Sequence, residues 1–419
     1  MRLPPIRLSG GHSVASDGGA IYLGDKTSAV LRNCTISACQ SGHSSGAVDA
    51  TNASLLLQET TVAECTSLAS TSRTDTAAIR VSDVLGTLSC DRLTLRDVQS
   101  LGDVILITGG ANATIVSSEV FNIGLNGAGS NWHSLLSATS VGGLSTVVIA
   151  DSAFRNVTTV TGSNSNGISS RSRCRVTVFQ CSFQFISASR GAAGYVLSNS
   201  ADAFLSFIGC SFTDLRSVRY LGGVFYIEGG NLAVTGCLIE RCESAREGGV
   251  LAARFLGVAS VENTTMRDCH AHGSYSPKGG ALYAIHFSTL HVTNCTIEQC
   301  TAVLDIDSAS FTGIADFSSP SYGGGAVYIE EDSIVTWTGG RVSECLATNG
   351  AGGALAVKAR CSLTVTGASF HDCSSTGSGG AIFAQGHENL RIETSVFSGC
   401  VTGQGGGAVV SPVAFEHDD

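Results

Sequence analysis

The chain has little charge, almost no proline and no long hydrophobic run, and each shortage narrows what it can be. Only 14% of its 419 residues are charged, and acidic residues outnumber basic ones 34 to 24. With a net charge of −10 and no Lys/Arg cluster, a sequence-independent grip on nucleic-acid phosphates is not expected. No stretch approaches the roughly 18 consecutive apolar residues of a membrane-spanning helix, so no span is expected in this segment. No segment carries apolar residues at helical spacing with caps at both ends, which argues against helices. The opening Met1-Arg2-Leu3-Pro4-Pro5-Ile6-Arg7-Leu8 lacks the apolar core and cleavage site of a signal peptide. No C-x-x-C pair is present, so zinc is not expected. Hydrophobic residues nevertheless make up 43% of the chain, the content of a foldable β-rich protein and not of a disordered glycine-rich tract.

What the chain does have is repetition. A glycine pair, a small residue and two aliphatic or aromatic residues recur, as in Gly248-Gly249-Val250-Leu251 and Gly279-Gly280-Ala281-Leu282-Tyr283. Successive glycine pairs starting at residues 222, 248, 279, 324, 352, 379 and 406 are separated by 26, 31, 45, 28, 27 and 27 residues. A second motif, apolar-x-x-apolar with Cys favoured in the last place, occurs in 13 copies from Ile36-x-x-Cys39 to Phe397-x-x-Cys400. It covers stretches where the glycine pair has decayed. Within a repeat, Val, Ile, Thr and Phe alternate with polar residues, as in Leu290-His291-Val292-Thr293, and Gly, Ser and Asn cut the runs short. This pattern predicts two or three short strands per repeat. One such unit cannot bury its apolar face alone, whereas stacked units can. The expected fold is therefore all-β, a right-handed parallel β-helix of about 13 coils. It would be a single domain over residues 1–419, on the order of 60 Å long at about 4.8 Å per coil. The repeats begin and end so abruptly that the segment reads as a piece of a longer protein, with its polar caps, secretion signal and anchor elsewhere.

There are 16 cysteines. Eight occupy the last place of the motif (Cys39, Cys65, Cys242, Cys269, Cys300, Cys345, Cys373, Cys400), where other copies carry Val, Ile or Leu. That substitution pattern marks a buried position filled by thiols acting as small hydrophobes. Disulfides within one coil, such as Cys34 with Cys39 or Cys295 with Cys300, are the alternative in an oxidising compartment. Cys269-His270-Ala271-His272 is the one local cluster of metal-ligand type, and a strand end running into a loop is the preferred reading. Six glycosylation sequons stand at Asn33, Asn52, Asn112, Asn156, Asn263 and Asn294, consistent with secretion in a eukaryote.

The Gly-Gly-Ala-(Ile/Leu/Val) phrase, alternating with Phe-x-x-(Asn/Cys), resembles the repeats of chlamydial polymorphic outer-membrane proteins, most closely over residues 222–410. Cys replaces that family's usual Asn, as at Phe370-x-x-Cys373. The resemblance implies an extracellular β-helical passenger used for adhesion or surface display. Pectin and pectate lyases share the fold group, so an enzyme is the rival reading. Hydrolases of that kind need a carboxylate pair, and lyases typically need a Ca²⁺ cluster and a basic proton abstractor. Glu240, Asp268, Glu298, Glu344 and Asp372, joined by Glu64 and Asp97, lie between the apolar places of their motifs and are expected to line up as one acidic stripe. A solvated face is the plainer reading of that stripe, and cation or glycan binding the functional one. The Gly386-His387-Glu388 and Arg391-Ile392-Glu393 segments only superficially match polygalacturonase motifs. Residues 301–323 are expected to form a loop insertion; a merely tolerated insertion is the plainer reading, and if the chain binds anything, Asp305, Asp307 and Asp316, with Phe311 and Phe317, make this the first place to look. The expected function is a non-enzymatic extracellular or cell-surface stalk for adhesion, display or structure. The alternative is a polysaccharide lyase or hydrolase. No cofactor is expected, and the partners considered are surface glycans or proteins.

Overall fold

The computed structural model describes all residues except 1–5, 14–18, 42–44, 68–75, 126–131, 160–163, 199–201, 274–276, 305–322, 349, 359 and 412–419. The described residues are all strand, corner and turn, without a helix, and they fall into two compact units, Met1–Phe212 and Thr213–Asp419.

In the second unit a coil runs as follows. The Gly248-Gly249 corner leads into strand Leu251–Arg254. A turn follows, then strand Val258–Glu262, a one-residue corner at Asn263, strand Thr265–Arg267, another one-residue corner at Asp268 and strand His270–Gly273. Each strand pairs in parallel with its counterpart one coil on: Leu251 with Leu282, Val258 with Thr289, Thr265 with Thr296 and His270 with Thr301. A coil thus contains four strands, where the alternating pattern suggested two or three. The reason is the one-residue corner. Asn294 reads as one more polar residue in an alternating run, but its φ of 50-odd degrees (51°) turns the chain between strands Thr289–Thr293 and Thr296–Glu298.

The left-handed corners form columns. One contains Asn263, Asn294 and Thr394, and the other Asp214, Arg241, Asp268, Gln299, Glu344 and Asp372. Left-handed backbone costs an L-residue about 1–2 kcal/mol, which is why Asn, Asp and Gly recur there. The glycine pair solves two separate problems. Gly248 has a φ of 64° and Gly249 does not, but both need the absence of a side chain, because a Cβ would collide with the carbonyl oxygen of Leu251 at the first and of Gly280 at the second.

The first unit follows the same plan, with motif strands Cys34–Ser37, Thr61–Ala63, Thr94–Ser100, Glu119–Leu125, Ala153–Thr159 and Ser182–Ala188 paired in parallel and in register. An extra copy precedes the 13 expected ones: Leu8, in strand Ile6–Ser9, pairs with Ile36. The first apolar place of all 13 expected copies lies in a strand, whereas the last-place cysteines follow the corner after it. The first apolar places point inward, and in this unit they end in a stack of rings. Phe154 and Phe183 lie 4.8 Å apart at 8°, and Phe183 and Phe212 lie 5.0 Å apart at 16°. Such offset stacks stabilise by about 0.5–1.5 kcal/mol beyond the area they bury.

Candidate functional site

The acids expected to form one stripe fall in two columns. Glu240 and Glu298 belong to a strand column in which Arg267 stands between them. Its guanidinium lies 3.5 Å from Glu240 and 3.2 Å from Glu298, so the three form an ion-paired ladder across consecutive coils. Asp268, Glu344 and Asp372, like Glu64 and Asp97 in the first unit, occupy left-handed corners. There Arg241 clasps Asp214 through two nitrogens at 2.8 and 3.1 Å, and Gln299 donates to Glu344 at 3.0 Å. In the first unit Asn156 donates to Asn122, which donates to Asp97 at 3.0 Å. That amide, together with Arg96, holds the Asp97 carboxyl below its usual range. The stripe is a set of rungs linking coil to coil.

The other expected sites separate in the same way. His270 and His272 face outward, His270 to Thr301 at 2.7 Å and His272 to Glu243 at 3.1 Å, while Cys269 before them and Ala271 between them are buried. Among the described residues no group of three or more His, Cys, Asp or Glu is placed to hold a metal. Asp305, Asp307 and Asp316 lie outside the described residues, as do Phe311 and Phe317. Five of the sequon asparagines, Asn33, Asn52, Asn156, Asn263 and Asn294, have φ of 50–52°. The corner conformation accounts for asparagine at these places without a glycan. Asn112 sits instead in strand Asn112–Val116, its side-chain oxygen accepting from the Thr146 amide.

All 16 cysteines are free thiols, and all but Cys400 are buried. The last-place thiols donate to the carbonyl two residues back, as Cys242 does to Glu240 at 3.3 Å and Cys300 to Glu298 at 3.4 Å. Within-coil disulfides are not formed at Cys34 and Cys39 or at Cys295 and Cys300. Burial pushes the Cys174 thiol up to about 12 and Cys295 up to about 11. These groups therefore stay protonated at neutral pH.

The sequence reading missed the cluster with most chemical potential, on the second unit beside the glycine corners. Glu247 and Lys278 immediately precede successive glycine pairs and form a parallel bridge. Lys278 Nζ reaches Glu330 Oε2 at 2.6 Å and stands 4.7 Å from the centre of the Tyr328 ring. Tyr328 stacks on Tyr283 with centroids 6.0 Å apart, in register in adjacent strands. Desolvation is the largest influence on Glu247. It outweighs the attraction of Lys278, Arg246 and Arg254 and pushes the carboxyl up to about 7. Both tyrosines are held well above their ordinary range, again chiefly by burial. Glu247 Oε2 and Arg254 Nε are buried without a hydrogen-bond partner. A carboxyl that exchanges its proton near neutrality, next to a lysine–carboxylate pair, has the attributes of an acid–base group. The signal was present in the sequence as a charge directly before a glycine pair, and as tyrosine closing the phrase Gly-Gly-Ala-Leu-Tyr.

The first unit holds a smaller polar cluster. The Ser134 amide donates to Asp103 at 2.6 Å, and the hydroxyls of Ser134, Ser169 and Ser137 connect at 3.0 and 3.1 Å. Burial pushes Asp103 up to about 6 and His133 down to about 4. Elsewhere in this unit an open groove of about 490 Å³ crosses successive corners at Ser117, Asp151, Gln180 and Gly209.

Residues 140–319 match the family described as right handed beta helix region. That match and the parallel coils place the chain in one fold group. It is a β-helix. No curated protein and no solved structure matches the chain. No helix among the described residues is long and apolar enough to cross a membrane.

Proposed function

We propose that this β-helix is a non-enzymatic extracellular or cell-surface scaffold, serving adhesion, display or a structural stalk. The observation that carries the reading is the ladder of charges: Glu240, Arg267 and Glu298, and likewise Arg241 and Asp214, spend their charges on neighbouring coils. Acids arranged to hold coils together serve a scaffold better than a substrate. The groove over Ser117, Asp151, Gln180 and Gly209 crosses the coils in the direction an extended polymer would follow, so surface glycans are the partners to try first. The test is a glycan array run beside a cleavage screen on uronic-acid polymers, with and without Ca²⁺. Binding without turnover is the expected result, and cleavage would overturn the reading.

One observation favours the alternative of a polysaccharide hydrolase or lyase: Glu247, raised to about 7 beside Lys278 and two tyrosines. If cleavage is found, Glu247→Gln should abolish it, whereas Glu298→Gln, in the charge ladder, should leave it nearly intact. The reverse ranking would dismiss Glu247 as the acid–base group.

A further inference from the structure

The last-place cysteines make a continuous column inside the second unit: Cys242, Cys269, Cys300, Cys345, Cys373 and Cys400, one per coil and without a gap. The register places them opposite one another, because the strands that precede them pair Ile239 with Met266, Ile297 with Val342 and Phe370 with Phe397. Four of the six thiols, Cys269, Cys345, Cys373 and Cys400, also lean toward the coil before them. Cys269 Sγ lies 3.9 Å from the Ile239 carbonyl, Cys345 Sγ 3.9 Å from that of Ile297, and Cys400 Sγ 3.8 Å from that of Phe370. Neighbouring thiols lie close enough to influence one another's ionisation, Cys269 with Cys242 and Cys300, Cys345 with Cys300 and Cys373, and Cys373 with Cys400. The first unit repeats the contact twice, between Cys39 and Cys65 and between Cys181 and Cys210.

Parallel neighbours about 4.8 Å apart fall inside the span of about 4.4–6.8 Å between Cα atoms that a disulfide bridges. We infer that these cysteines are cross-linking sites that pair between consecutive coils, one repeat apart in sequence, when the chain folds in the presence of a small-molecule disulfide. The exchange is balanced. One ladder thiolate attacks a sulfur of the oxidant and releases a thiolate, giving a mixed disulfide. The next ladder thiolate then attacks the protein-side sulfur and displaces the second thiol. The two cysteines lose two electrons and two protons, and the oxidant becomes two thiols. In the folded column five of the six thiols are buried out of reach of a dissolved oxidant, and only Cys400 is partly exposed. Pairing therefore belongs to the folding chain, before the coils close over it.

A column of single-file partners has parity. Six thiols pair completely as Cys242–Cys269, Cys300–Cys345 and Cys373–Cys400, and removal of one member changes which thiols are left over. Valine already fills the equivalent place at Val98 and Val157, buried in the same way, so Val is the substitution that keeps the fold. The test is to refold the full chain in a reduced and oxidised glutathione buffer, block free thiols and map peptides without reduction. Between-coil bridges are expected throughout. Cys269→Val should leave Cys242 free while Cys300–Cys345 and Cys373–Cys400 persist. Cys300→Val should keep Cys242–Cys269 and leave one thiol free among Cys345, Cys373 and Cys400. Dominant within-coil bridges (Cys34–Cys39 or Cys295–Cys300), thiols that stay free after oxidative refolding to the native circular-dichroism spectrum, or a Cys242 that still pairs in Cys269→Val would each overturn the inference.

Discussion

Single residues in this protein are tuned by burial more than by charge, and Glu247 is the clearest case. Desolvation lifts its carboxyl from 4.5 to about 7 despite three nearby cations. The folded state therefore holds a proton that the unfolded chain releases between those values, and stability must fall as pH rises from about 4.5 to about 7. Glu247→Gln, which stays neutral, should flatten that part of the stability curve. Urea unfolding at a series of pH values reads the effect, and an unchanged slope in the variant would assign the pH dependence elsewhere. The residue was hidden in the sequence because its partners come from separate coils. Lys278 and Tyr283 stand one repeat on, and Tyr328 and Glu330 another, so only the parallel register brings them together. The cysteine column was easier to foresee, because Val, Ile and Leu in the same slot already mark the inside.

At the scale of the element, corners decide more than strands. Left-handed backbone and close approach are separate demands on a glycine, so alanine at a site with only one of them should separate the costs. Gly236 is left-handed (φ of 62°) with nothing within 4 Å of its absent Cβ, so Gly236→Ala should cost only the backbone conformation, about 1–2 kcal/mol. Gly249→Ala must push against the Gly280 carbonyl and should cost about 3 kcal/mol or more, the upper range for overpacking a tight site. Equal losses in denaturant midpoint would mean that close approach is not what the pair provides. Strands carry a complementary test in their charge columns. Arg267→Glu would place three acids on consecutive rungs with Glu240 and Glu298. Like charges opposite one another destabilise by about 0.2–1 kcal/mol per pair, so a loss of about 1–2 kcal/mol is expected, shrinking in high salt where exposed charges are screened. A salt-independent loss would point to packing instead. The strand period was legible from sequence, but this column was not. Glu240 and Asp268 both lie between two apolar places, and only the fold assigns one to a strand and the other to a corner.

Within each unit the described coils make their strand pairings with the coils immediately before and after them, as Val258–Glu262 does with Asn231–Thr235 and Thr289–Thr293. The repeat made this architecture readable without any structure, because a period near 27 residues leaves room for one turn of strands and nothing else. Function is less legible for the same reason: copied residues report the demands of stacking first. Nearest-neighbour contacts also predict how such a molecule comes apart. In a repeat array, stability is roughly a sum of coil and interface contributions, so opening should spread coil by coil and not in one step. Calorimetry should accordingly give an unfolding enthalpy larger than the van't Hoff value. Hydrogen exchange resolved by peptide should assign different opening free energies to different coils within one unit. The Phe154–Phe183–Phe212 stack should be the last part of the first unit to open, since its buried rings join successive coils face to face. A single opening free energy shared by every peptide would show that the coils are coupled more strongly than neighbour contacts allow.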